Sequence, residues 1–193
     1  MKSICVFAGS SLGVNPLYSE IAIQLGKDIV EAGYSMVYGG GSNGLMGVIA
    51  DSVIDSGGQV KGVITQQLKE IEVAHEGLTE LLVVSSMHER KAKMAHLSDA
   101  IIALPGGVGT WEEFYEALAW NQLGIHSKPI VLLNVNLYYS DLYKFSKKGV
   151  EEGFLPSSTF EDIFLVENSK EAIKAVDNFK EKDVSNWFER LTR

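Results

Sequence analysis

The run Pro105-Gly106-Gly107-Val108-Gly109-Thr110 is the strongest chemical signal in the chain, because it stands between a buried apolar stretch and an amphipathic one. Glycines let the backbone turn tightly and bring bare N–H groups close to an oxyanion. A helix beginning near Thr110 would direct its positive end at the same point. The pattern is not a Walker loop, since no Gly-Lys-Ser/Thr follows. A dinucleotide fingerprint would follow the first strand as Gly-x-Gly-x-x-Gly, and this run does not. Two further clusters, Gly9-Ser10-Ser11 and Gly39-Gly40-Gly41, also follow apolar runs.

Glu113 has two readings. Thr110-x-x-Glu113 matches a capping box, in which threonine caps the helix and glutamate reaches back to the threonine N–H. A carboxylate so placed would also face the glycine pocket, so spacing alone leaves capping and catalysis open. Glu112 and Glu116 share that helix and read as solvated face residues. Met87-His88-Glu89-Arg90-Lys91 opens another helix, where Ser86-x-x-Glu89 is again a capping box. Arg90 and Lys91 are more telling. Cations in a first helical turn oppose the macrodipole at a cost of a few tenths to about 1 kcal/mol, so two in succession suggest a nearby anion. His75, His88, His96 and His126 lack metal-ligand spacing, and no cysteine pair accompanies them. No nucleophile elbow Gly-x-Ser-x-Gly is present. Trp111, Phe114, Tyr115 and Trp120 have helical spacing and read as core or subunit interface.

Positioning these groups requires alternating strands and helices. Apolar runs predict strands at 2–8, 35–38, 59–64, 81–84, 100–104, 130–133 and 163–166. Amphipathic spacing predicts helices at 16–32, 45–56, 86–97, 111–123, 142–152 and 170–180. Strands apolar at every position are those of a parallel sheet covered on both faces. The expected fold is therefore α/β, a Rossmann-like three-layer sandwich with a doubly wound, mostly parallel sheet. Ligands of such sheets sit at the carboxyl ends of the strands, where all three glycine clusters fall.

The chain has 193 residues, 46% hydrophobic and 22% charged, and shows no linker or repeat, so residues 1–193 read as one domain. A net charge of −8 disfavours a nucleic-acid binder and obliges any anion site to supply its own local positive potential. The single cysteine, Cys5, lies in an apolar run; a reducing, cytoplasmic setting fits, and no apolar run is long enough to span a membrane.

Taken together, these residues resemble a known family. Pro105 to Glu113 is similar to the PGGxGTxxE signature of the Lonely Guy family of cytokinin-activating phosphoribohydrolases, some of which carry an older lysine-decarboxylase label. The segments 5–11, 38–47, 87–91, 122–129 and 151–154 resemble further family motifs, so the likeness runs over roughly residues 3–156. It implies hydrolysis of the N-glycosidic bond of N6-modified adenosine 5′-monophosphates to free base and ribose 5-phosphate. It implies Arg90 and Glu113 as catalytic residues. The implied binding residues are Ser10, Gly41, Glu72, Met87, Lys91, Gly106, Gly107, Val108, Gly109, Thr110, Trp111 and Glu112. It further implies a homodimer, with no metal and no cofactor. The rival reading is a non-catalytic nucleotide or molybdenum-cofactor binding protein of the same fold. A literal decarboxylase would need a lysine Schiff base to pyridoxal phosphate with a pyridinium partner, and no such constellation is present.

Overall fold

Short apolar strands fill the middle of the molecule. The computed structural model describes residues 2–71 and 74–181. In chain order its elements are β1 (Ser3–Phe7), α1 (Leu17–Glu31), β2 (Ser35–Tyr38), α2 (Gly44–Asp55), β3 (Val60–Thr65), α3 (Gln66–Ile71), β4 (Glu80–Val84) and α4 (Met87–His96). There follow β5 (Ala100–Ala103), α5 (Val108–Gln122), β6 (Ile130–Leu133), a 3-10 turn (Val135–Leu137), α6 (Ser140–Glu151), α7 (Ser157–Phe160), β7 (Ile163–Val166) and α8 (Ser169–Asn178). The strands form one sheet in the order β4-β3-β2-β1-β5-β6-β7, and every pairing is parallel. Each predicted strand is present, and the sheet expected to be mostly parallel is wholly so.

Burial follows the pleat. Successive side chains of β1 point to opposite faces. Ile4 and Val6 pack with Leu25 and Ile29 of α1, Ile49 and Val53 of α2, and Ile173 of α8. Cys5 and Phe7 pack with Met94 of α4 and Phe114 and Leu118 of α5. Helices thus cover both faces, which explains why β2, β5 and β6 are buried at every residue. The edge strands β4 and β7 are only partly buried.

The chain runs outward from β1 to β4 on one side, then returns to β5 on the other side of β1. This reversal opens a crevice beyond the carboxyl ends of β1 and β5, the place where doubly wound sheets bind ligands. Two short helices, α3 and α7, were not foreseen; at six and four residues they are too brief to show a periodicity. A third difference lies at α5. It begins at Val108, not near Trp111, and its cap is Gly107 in an extended conformation. Gly109 reads as a breaker, but in a first turn its N–H has no intrahelical partner to lose.

Beyond β6 the backbone enters the left-handed region at two consecutive non-glycine residues, Asn136 (φ 50°) and Leu137 (φ 61°). Asparagine tolerates that conformation, whereas leucine does not. The Leu137 side chain is 67% exposed and contributes little burial in exchange. Leu137→Gly is therefore expected to stabilise the fold by a net of about 0.5–1 kcal/mol, raising Tm by about 1–4 °C in a calorimetric scan. A lower Tm for that variant would show that the turn carries no strain at this position.

Candidate active site

The three glycine clusters converge at the crevice. The Gly9 N–H donates to the Pro105 carbonyl at 3.1 Å, and the Leu45 N–H of α2 donates to the Gly9 carbonyl at 3.0 Å. The segments also crowd at Gly106, where an added Cβ would lie 2.2 Å from Thr110 Oγ1 and 2.9 Å from the Gly9 nitrogen. No larger residue fits there without moving backbone. The first turn of α5 follows directly. Gly107, Val108 and Gly109 are exposed, and the N–H groups of a first turn have no partner within their own helix. Together with the helix dipole they form a positive, open concavity at the switch point.

Arg90 lies on α4 at the side of this concavity. It is 6% exposed, and a guanidinium keeps its charge when buried, so it must find acceptors. Nε donates to the Val63 carbonyl, within β3, at 2.9 Å and Nη2 to the Gly39 carbonyl, just past β2, at 3.0 Å. A Cβ on Gly39 would stand 2.1 Å from Nη2, so glycine at this position makes room for the cation. Nη1 faces Glu113 Oε1 at 3.8 Å. That distance is an ion pair and exceeds a hydrogen bond, so the carboxylate is left able to accept from another donor.

Glu113 comes from α5. The Thr110-x-x-Glu113 capping box does not form, because the helix starts two residues before Thr110 and Gly107 is its cap. Its carboxyl is consequently not engaged in capping, and its side chain is only 15% exposed. Burial pushes its pKa up to about 7, the Arg90 cation opposes that rise, and Glu112 adds to it. By contrast, the Ser86 box forms in modified shape. Ser86 Oγ accepts from the Glu89 N–H at 3.2 Å, while the Glu89 carboxylate accepts from the N–H and hydroxyl of Ser85, one residue further back.

Lys91 donates to Glu112 at 2.6 Å and to Glu116 at 2.8 Å. Those two acids are therefore bound to a cation across two helices; Glu112 keeps the solvated position expected of it, at 53% exposed, while Glu116 is 24% exposed. Among the other predicted residues, Ser10, Met87, Val108 and Trp111 are exposed around the crevice, Thr110 is buried beneath Gly106, and Gly41 is buried and pairs with Ala74. Glu72 lies outside the described residues. The backbone carbonyls that hold Arg90 left no trace in the sequence. Nor did Tyr138 and Tyr139, whose hydroxyls donate to carbonyls of the loop after β5. Among the described residues no group of acidic, histidine or cysteine side chains could hold a metal ion, and no helix is long and apolar enough to cross a membrane.

Comparison with known proteins gives a consistent result. The family described as "Possible lysine decarboxylase" matches residues 46–176. A cytokinin riboside 5′-monophosphate phosphoribohydrolase of Arabidopsis thaliana is 48% identical over 179 residues, 93% of this chain and 82% of the relative. A probable enzyme of the same name from Oryza sativa subsp. japonica is 50% identical over 173 residues, 90% of this chain and 75% of the relative. Among solved structures, the molybdenum cofactor carrier protein of Chlamydomonas reinhardtii superposes with a TM-score of 0.69 at 21% identity, covering 91% of this chain and 96% of that one. The molybdenum cofactor binding protein of Rippkaea orientalis gives a TM-score of 0.67 at 21% identity over 92% and 96%. At that identity the two structures share the fold alone.

The raised pKa of Glu113 has a thermodynamic signature. A carboxyl whose folded pKa lies above its unfolded value contributes stability below the unfolded pKa, and that contribution is lost as pH rises through the folded one. Glu113→Gln should therefore gain stability relative to the wild type as pH is raised from about 4.5 to about 8. Denaturant titrations across that window test the sign, and a variant that loses ground with rising pH would contradict the burial argument.

Proposed function

Since the chain belongs to the Lonely Guy family of cytokinin riboside 5′-monophosphate phosphoribohydrolases, we propose that it hydrolyses the N-glycosidic bond of adenosine 5′-monophosphates, plain or N6-modified, to free base and ribose 5-phosphate. The observation that carries this reading is the Arg90–Glu113 pair, 3.8 Å apart beside a glycine-lined helix N-terminus. A glycosidic hydrolysis at a phosphorylated sugar needs those three parts and no more.

The backbone N–H groups at the start of α5, with the Thr110 hydroxyl, hold the 5′-phosphate, which explains how a chain of net charge −8 binds an anion. Fixing the phosphate fixes the ribose, so remote binding energy serves the reacting centre. As the bond from C1′ to the base nitrogen stretches, positive charge grows on the sugar and the Glu113 carboxylate stabilises it. Water attacks C1′ as the bond to the base nitrogen breaks; with a pKa near neutrality, Glu113 is also suited to take the water's proton, and the base, which leaves with the bonding pair, takes up a proton from solvent. Arg90, charged at all relevant pH, stabilises negative charge on the leaving base or the phosphate and holds Glu113 toward ionisation. The lone, buried Cys5 suits action in the reducing cytoplasm.

The active form in this reading is a homodimer. Tyr115 and Leu118 of α5, Phe145 of α6, and Phe154 and Leu155 line an apolar groove of about 550 Å³. Phe145 and Phe154 are 71% and 88% exposed, which suits a surface covered by a second copy.

Three measurements test these statements. Incubation with AMP and N6-isopentenyl-AMP, followed by chromatography, should yield base and ribose 5-phosphate in equal amounts. Glu113→Gln should retain AMP binding while turnover falls by about a hundredfold or more; unchanged turnover removes Glu113 from the chemistry. In sedimentation velocity, Phe145→Glu should shift the protein from dimer to monomer. A wild type that already sediments as a monomer would refute the assembly.

A further inference from the structure

We propose that Tyr138 is a positioning residue that aims a backbone N–H of the glycine loop at the phosphate, while Tyr139 fixes the Leu104–Pro105 peptide, which carries no N–H, at the base of that loop. The inference rests on the assignment of that loop as the phosphate site and concerns what holds its shape.

Three successive carbonyls of the loop are each met by a donor from another segment. Tyr139 Oη donates to the Leu104 carbonyl at 2.6 Å, the Gly9 N–H to the Pro105 carbonyl at 3.1 Å, and Tyr138 Oη to the Gly106 carbonyl at 2.5 Å. A trans peptide is planar, and its C=O and N–H point in opposite directions. Anchoring the Pro105 carbonyl at Gly9 therefore turns the Gly106 N–H away from Gly9. Anchoring the Gly106 carbonyl at Tyr138 likewise turns the Gly107 N–H away from Tyr138. Glycine backbones are otherwise the freest in the chain, so a loop built of them needs outside restraints to present a fixed set of donors.

The tyrosines are themselves braced. The Tyr139 N–H donates to Asn134 Oδ1 at 2.8 Å, and Asn134 Nδ2 donates to Ser140 Oγ at 3.1 Å. The two rings meet edge to face with centroids 5.0 Å apart, and Tyr138 makes a second such contact at 6.0 Å with Tyr18 of α1. Both tyrosines directly follow the left-handed Asn136 and Leu137. Backbone strain persists where the surroundings impose it, and it clusters at functional sites. Here the strained turn delivers two adjacent hydroxyls to alternate carbonyls of one loop.

Tyr139 is 1% exposed, so removing its hydroxyl strands a buried carbonyl and also lowers stability. Tyr138 is 37% exposed, and Tyr138→Phe keeps the ring contacts. Calorimetric titration of the full chain with inorganic phosphate, AMP and adenosine separates aiming from mere support. Tyr138→Phe should weaken phosphate and AMP by about tenfold, with adenosine affinity unchanged and Tm close to that of the wild type. Tyr139→Phe, which frees a peptide without an N–H, should melt lower and weaken the same two ligands less than Tyr138→Phe does. Equal losses for AMP and adenosine, or no loss for either variant, would overturn the proposal. A wild type that binds neither phosphate nor AMP would instead remove the phosphate-site assignment, and this inference would fall with it.

Discussion

A guanidinium cannot shed its charge when it leaves water, so every element around Arg90 is arranged to answer it. Two backbone carbonyls take two of its nitrogens, a glycine without a side chain leaves it room, and a carboxylate on a different helix faces the third nitrogen. Breaking any of these contacts would leave a buried charge uncompensated, typically a loss of several kcal/mol. The cation therefore ties α4, β3, the residue just past β2, and α5 to one geometry. It also sets the electrostatics of Glu113, which burial alone would drive further from ionisation.

That constraint explains how an acidic protein hosts an anion. Positive potential can be supplied locally, by one buried cation and the first turn of one helix, despite the net charge of −8. The crevice owes its place to topology: where the strand order reverses, loops from β1 and β5 meet without a helix between them. Glycine at the contact points lets those loops approach to backbone distance.

Much of this arrangement is legible in the residues. The strands show as apolar runs because the inner ones are buried between helices, and the glycine clusters mark strand ends. Arg90 and Lys91 stand out because cations are misplaced in a first turn. What stays hidden has physical reasons. The start of α5 is obscured because Gly107 and Gly109 look like a break, although one is a cap and the other costs little in a first turn. The acceptors of Arg90 are main-chain atoms of Val63 and Gly39, which any residue type would supply. Tyr138 and Tyr139 carry no signal in the sequence, since nothing local shows where a hydroxyl ends. Whether Thr110 and Glu113 form a box depends on where the helix begins, which spacing cannot decide.

The trio of Lys91, Glu112 and Glu116 has a consequence for traffic through the crevice. With no guest, the ammonium already has two carboxylate partners, at 2.6 and 2.8 Å. Any guest anion that recruits this lysine must first evict a tenant, and the acids are waiting when the guest departs. Such an exchange evens out the energies of the filled and empty states.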